Sequence, residues 1–216
     1  MDLHRLRQEF DAWAHQYDAT VTEAEWGFER YDEILDRVVE LAAVPPGGRV
    51  LDLGTGTGNL AGRFLDRGVE VTGVDLSQKM LQRAKAKYPT LETVEGHFED
   101  LSRVRGLYDA IVSSYALHHI PDERKARVLQ HLQRFLKPGG RIVIADYAFQ
   151  NVQHREQVRA ELLASGREHW WREIEQEYYA DLAYLFELLC DSPCEVQREQ
   201  WTPFVWILTL IPQPTR

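Results

Sequence analysis

Val50-Leu51-Asp52-Leu53-Gly54-Thr55-Gly56-Thr57-Gly58-Asn59-Leu60, followed by Val71-Thr72-Gly73-Val74-Asp75, is the stretch that decides the fold. An apolar run ends in a glycine-rich turn, a helical segment follows, and a second apolar run ends in aspartate. Strand, turn, helix and strand in this order build a nucleotide-type cofactor site at the edge of a parallel sheet. The glycines leave room for a ligand to touch the backbone. Asp75, 23 residues after Asp52, is placed to accept both hydroxyls of a ribose.

The glycine spacing narrows the ligand. A dinucleotide fingerprint wants Gly-x-Gly-x-x-Gly, whose third glycine lets helix and strand pack closely. Here Gly54, Gly56 and Gly58 alternate, and Asn59 stands where that third glycine belongs. The turn is wrong for a pyrophosphate and suits a ligand that lays an amino-acid moiety along the loop. A phosphate-binding loop is excluded as well, because no Gly-Lys-Ser/Thr is present.

Outward from this unit, strands are expected near 49–53, 69–74, 91–95, 108–114 and 140–146. Helices are expected near 58–67, 77–87 and 123–136, with Ser77 and Asp122 as N-caps. Pro138-Gly139-Gly140 ends the third helix and returns the chain to a strand. Such alternation means a parallel sheet covered on both faces. Upstream, Leu3, Leu6, Phe10, Trp13, Ala14 and Tyr17 share one helical face. A second amphipathic segment, Phe28 to Ala42, stops at Pro45-Pro46-Gly47-Gly48. Residues 150–190 break the rhythm with a charged helix pair, and two final strands near 195–201 and 204–211 close the sheet as a hairpin.

The 216 residues suffice for one domain with a full core, and 44% hydrophobic with 27% charged residues is an ordinary globular balance. A net charge of −9 without a dense Lys/Arg run argues against nucleic acid as substrate. The opening Met1-Asp2-Leu3-His4-Arg5-Leu6-Arg7 has no secretion-signal core, and no stretch is long enough to span a membrane. Cys190 and Cys194 have no second Cys/His pair nearby. They read as thiols of a reducing, cytoplasmic protein, and no metal is expected.

These residues resemble the class I S-adenosylmethionine-dependent methyltransferases. The agreement is good over the central half of the chain and looser over the rest. Asp52-x-Gly54-x-Gly56-x-Gly58 matches the motif that holds the methionine part of the cofactor. Asp75 matches the ribose-binding acid, and Leu76 the position that packs on adenine. Gly96-His97-Phe98 lies where the family has Gly-Asp-x, with His97 departing from the pattern at the adenine amino contact. Tyr108 to Ser114 resembles the fourth strand, with Ser113 near its end among the expected cofactor contacts. Leu136-Lys137-Pro138-Gly139-Gly140 resembles the turn before the fifth strand. Phe10-Asp11-x-Trp13-Ala14-x-x-Tyr17-Asp18 is similar to a narrower set of small bacterial methyltransferases in which the tyrosine reaches the cofactor carboxylate. The resemblance implies a seven-stranded, mostly parallel Rossmann-like α/β sheet. It also implies S-adenosylmethionine as cofactor and S-adenosylhomocysteine as product.

Methyl transfer from a sulfonium needs mainly alignment in a dry pocket, helped by a base when the acceptor carries a proton. Tyr115-Ala116-Leu117-His118-His119 comes after the fourth strand at the edge where ligands bind. His119 and His118 are the candidate bases, nearly tied, with Tyr115 beside them. The competing reading is that one imidazole braces the loop and the other faces solvent. Asp146, ending the fifth strand, either binds a cationic acceptor or caps the segment after it. Trp170 and Tyr179 lie off the packing stripe of the insertion and are candidates for the acceptor pocket. Trp13 and Trp206 read as core, the latter within reach of that pocket. The charge run from Arg155 to Glu177 reads as solvated surface. The Asn/Asp-Pro-Pro-Tyr/Phe signature of nucleic-acid amino-methylating enzymes is absent after the fourth strand, where Ser113-Ser114-Tyr115-Ala116 stands.

The expectation is therefore one domain acting on a small-molecule acceptor, with no nucleic acid or membrane partner. A helical lid occupies 1–46, the cofactor core 47–148, a helical insertion 149–193 and the last strands 194–216. Two alternatives stay open: a non-catalytic cofactor-binding regulatory module, and a nicotinamide dehydrogenase that Asn59 disfavours.

Overall fold

The computed structural model describes residues 3–23 and 27–213. Among these residues, three helices precede the first strand instead of two: α1 (Leu3–Trp13), α2 (Tyr17–Thr22) and α3 (Tyr31–Ala42). The face shared by Leu3 and Tyr17 is thus split by a break after Trp13. The break frees the carbonyls of Ala14 and His15, and the Arg83 guanidinium donates to both at 2.8 and 2.9 Å. A side chain distant in sequence satisfies what a continuous helix would have satisfied internally. α3 buries Ile34, Leu35, Val38, Val39 and Ala42 along one stripe and ends at Ala43 in a left-handed conformation before the prolines.

Strand and helix then alternate as the glycine-rich unit requires. β1 (Arg49–Leu53), α4 (Asn59–Leu65), β2 (Glu70–Asp75), α5 (Gln78–Lys87), β3 (Glu92–Glu95), β4 (Tyr108–Ser114), α6 (Asp122–Leu132) and β5 (Leu136–Phe149) succeed one another in order. Ser77 caps α5, its hydroxyl accepting the Met80 N–H at 3.1 Å. Asp122 does not cap α6. Pro121 takes the cap position, and the Asp122 carboxylate instead accepts from Lys125 and from the Asp181 N–H. Pro138-Gly139-Gly140 lies inside β5 as an irregularity: Leu136 pairs with Tyr108, and regular pairing resumes at Arg141 with Ala110.

The insertion contains three helices, α7 (Val152–Ala164), α8 (Glu168–Ile174) and α9 (Leu182–Leu189), where a pair was expected. Between α8 and α9 a two-residue strand, β6 (Ala180–Asp181), pairs with the end of β5. β7 (Cys194–Gln200) and β8 (Val205–Pro212) close the sheet as an antiparallel hairpin. The sheet order is β3-β2-β1-β4-β5-β8-β7, with β6 off this path. β1 to β5 run parallel and β8 is antiparallel to β5.

Alternation along the strands divides the core in two. Val50, Val112, Val143 and Ala145 pack beneath α3, α4, α7 and α8. Leu51, Ile111, Ile142 and Ile144 pack against α6 and α9 on the other face. The insertion therefore begins over one face and ends over the other. Its crossing segment, residues 175–181, must pass the C-terminal edge of β4 and β5. The order reverses between β1 and β4, so that same edge holds the crevice where open sheets of this kind bind ligands.

Candidate active site

The loop after β1 is shaped by backbone conformations that side chains resist. Gly54 and Gly56 have φ of +70° and +54°. A Cβ at Gly54 would stand 2.4 Å from that of Ala116, so the loop can lie against the turn after β4 only without one. Around Gly56 the space is open, which leaves its backbone accessible to a ligand. Gly58, left-handed at the start of α4, packs on Tyr88 and Ala84 and does not reach the cavity.

Two carboxylates sit under and beside this loop. Asp52 is fully buried, with its Oδ2 accepting the Thr55 hydroxyl at 2.6 Å and its Oδ1 without a partner. Burial lifts its pKa to about 7. It braces the loop from below and does not line the cavity. Asp75 ends β2, accepts the N–H groups of Gly56 and Ser77 at 2.8 Å, and faces the cavity. Burial raises it to about 6, although those backbone donors favour its charge.

A cavity of about 440 Å³ opens over the ends of β1, β2 and β4. Leu76, Phe98 and His97 line its far side, with His97 Nδ1 accepting the Glu99 N–H. Its roof is the N-terminal pair of helices, with Phe10, Trp13 and Tyr17 facing inward. Trp13, read as core, is a wall residue packed edge-on against Tyr17. Polar contacts hold this roof down. Asp11 accepts the Ser77 hydroxyl, Asp18 accepts the Thr57 hydroxyl, and Lys87 pairs with Asp18 at 2.8 Å. Among the described residues no Lys or Arg lines the cavity.

The polar end is built by the turn after β4. Tyr115 has φ of +51°, is buried among Phe28, Tyr31 and Tyr147, and leaves its hydroxyl without a partner. Burial pushes that hydroxyl well above its ordinary pKa, so it is a donor and not a base. His118 is buried, and its Nδ1 lies 2.6 Å from Asp146 Oδ1. His119 Nδ1 lies 3.0 Å from Glu177 Oε2, and the two imidazole centroids are 4.1 Å apart. Burial and the adjacent His118 ring hold the His119 pKa below its ordinary value.

Several expected contacts are displaced by one position or one layer. Ser113 is fully buried with its hydroxyl unpartnered, and the next residue, Ser114, lines the cavity. Asp146 lies behind His118 and not at the cavity surface. It accepts from the His118 ring, the His118 N–H and the Tyr147 N–H. Strand alternation turns Tyr147 to the cavity in its place. Trp206, in register with Asp146 on β8, packs into the opposite core and does not reach the cavity. Trp170 and Tyr179 do line it, and Tyr179 stacks on Tyr147 at 4.7 Å. Glu177, expected at a solvated surface, is a half-buried wall residue.

Known proteins fit this arrangement. A methyltransferase-domain profile matches residues 50–140. An uncharacterized methyltransferase of Exiguobacterium sibiricum is 36% identical over 208 residues, covering 94% of this chain and 95% of its own. The uncharacterized methyltransferase YrrT of Bacillus subtilis is 34% identical over 207 residues, with 94% and 95% covered. The magnesium protoporphyrin IX methyltransferase of Synechocystis, solved with bound S-adenosylmethionine, superposes with a TM-score of 0.68 at 17% identity, over 99% of this chain and 98% of that one. With a glycine-rich loop after β1, an aspartate ending β2 at the cavity, and relatives above 30% identity along nearly its whole length, this chain belongs to the class I S-adenosylmethionine-dependent methyltransferases.

Proposed function

We propose that this chain transfers the methyl group of S-adenosylmethionine to a small-molecule acceptor bound beneath the N-terminal helices. The observation that carries this reading is one continuous cavity running from the glycine loop and Asp75 to the paired histidines. The cofactor side fits the ligand by its own chemistry. Gly54 and Gly56 expose backbone, Asp75 presents a carboxylate suited to two ribose hydroxyls, and Leu76 and Phe98 offer apolar faces for a base. When bound, the cofactor supplies an electrophilic methyl on a sulfonium.

The chain's own residues supply position, dryness and a proton acceptor. Phe10, Trp13, Tyr17 and Phe28 exclude water from above. The Asp146 contact places the ring hydrogen of His118 on Nδ1, which leaves the Nε2 lone pair for the acceptor's X–H group. A small acceptor is favoured because, among the described residues, no cationic side chain lines the cavity to receive a polyphosphate backbone.

Calorimetric titration with S-adenosylhomocysteine, on wild type and Asp75→Ala, tests the cofactor half. Binding weakened at least tenfold by the substitution is expected. Absence of binding, or indifference to Asp75→Ala, overturns it. Label transfer from S-adenosylmethionine to a panel of phenols, thiols and amines tests the acceptor half. Tight cofactor binding with no turnover on any of them would favour a regulatory module instead.

A further inference from the structure

The crossing segment of the insertion brings Glu177 against the histidine pair, 58 residues away in sequence. One donor atom each from His118, His119 and Glu177 lies within 4.8 Å of the others, and all three side chains line the cavity. We propose that these residues bind a divalent transition-metal ion of the Zn²⁺ type, with an open coordination position facing the acceptor. This deepens the reading of the cavity as an acceptor site and rests on it.

Two imidazoles and a carboxylate form the donor set of catalytic zinc sites that keep a fourth position free. The second observation lies behind the ligands. His118 is backed by Asp146 at 2.6 Å, the carboxylate–histidine arrangement that orients a metal-binding imidazole and directs its other nitrogen to the ion. Charge agrees as well. Glu177 on the wall and Asp146 behind His118 bring two carboxylates to an end of the cavity that no Lys or Arg lines among the described residues. The frame is rigid for a site on loops. The Tyr178 N–H donates to the His118 carbonyl at 2.9 Å, tying the two ligand segments together. Lys125, fully buried, binds both Asp122 and the Tyr178 carbonyl. An ion here takes the Nε2 lone pair otherwise available as a base. The acceptors it selects carry a hydroxyl or thiol that binds a divalent ion as its anion, the proton passing to solvent.

The test uses the full chain stripped with EDTA and titrated with ZnCl₂, with S-adenosylhomocysteine binding measured in parallel. One equivalent of Zn²⁺ is expected. Its affinity should fall more than tenfold in Glu177→Gln and His118→Ala, and about tenfold or more in Asp146→Asn. Cys190→Ser/Cys194→Ser should leave it unchanged. A Co²⁺-loaded sample should show visible absorption that Glu177→Gln abolishes. No stoichiometric Zn²⁺ binding, or binding indifferent to Glu177 and His118, overturns the proposal. If adenosyl binding persists in that event, the metal site alone has failed. If adenosyl binding is lost in the wild type, the underlying reading has failed.

Discussion

Asp75 is the residue at which cofactor affinity and pH should meet. If it holds the ribose as proposed, its carboxyl, raised to about 6, accepts the two hydroxyls as the anion, so binding is linked to the loss of one proton. S-adenosylhomocysteine affinity is expected to be flat above pH 7 and about tenfold weaker by pH 5. Asp75→Asn should be weaker throughout and lack that slope, as calorimetry across the range would show. At the other end of the cavity, His118→Ala is expected to slow methyl transfer by about 10²–10⁴-fold while leaving S-adenosylhomocysteine affinity within a few fold. Equal losses in both would mean a structural role for His118. The places of Gly54, Gly56 and Asp75 at the cavity are legible because a turn between two strands fixes where each must lie. That of Glu177 is not, because its partner His119 lies in another element and nothing in its own neighbourhood distinguishes it from the surrounding charges. The exchange of Ser113 for Ser114 and of Asp146 for Tyr147 has a simpler origin. A strand sends neighbours to opposite faces, and an error of one position changes the face.

Among the elements, the N-terminal helices contribute function through a few polar contacts to a hydrophobic roof. No residue of α1 is fully buried, so the helix is held over the cavity by partners such as Asp11 with Ser77. α2 is held by Asp18 through Thr57 of the glycine loop and Lys87 of α5. Elements with few buried contacts and specific latches open more readily than the core they cover. Asp18→Ala is expected to release S-adenosylhomocysteine faster by about fivefold, the equivalent of one net hydrogen bond of about 1 kcal/mol. Its melting temperature should change little. Stopped-flow displacement would measure the first and calorimetry the second, and an unchanged release rate would remove the latch from the account. The helical periodicity of 3–17 showed which side chains share a face. It could not show the break, because the stabilising partner is Arg83, on a helix that packs there only after folding.

For the whole molecule, the parallel sheet and its crevice arise from the alternation of strand and helix that begins at Arg49, and the crevice then collects side chains from every layer. Such convergence has a stability cost, because Asp52 and Asp75 are both held above their ordinary values by burial. A carboxyl raised in the folded chain binds its proton more tightly there than when unfolded. Its neutral form therefore stabilises the fold below about pH 4, and that contribution is lost as the pH rises through about 6 to 7. The ligand-free protein should accordingly show a falling component of melting temperature between pH 5 and 7.5, reduced in Asp75→Asn. S-adenosylhomocysteine should offset it, because ribose hydroxyls would solvate the Asp75 charge. At a hundred times its dissociation constant the ligand adds about 2.7 kcal/mol. For a chain of this size that corresponds to a rise of about 5–10 °C. At one fixed ligand concentration, the gap between bound and free melting temperatures should be widest at pH 7.5 and shrink toward pH 5. Calorimetric scans at the two pH values decide it. A gap that does not shrink would mean that the charge on Asp75 plays no part in holding the cofactor.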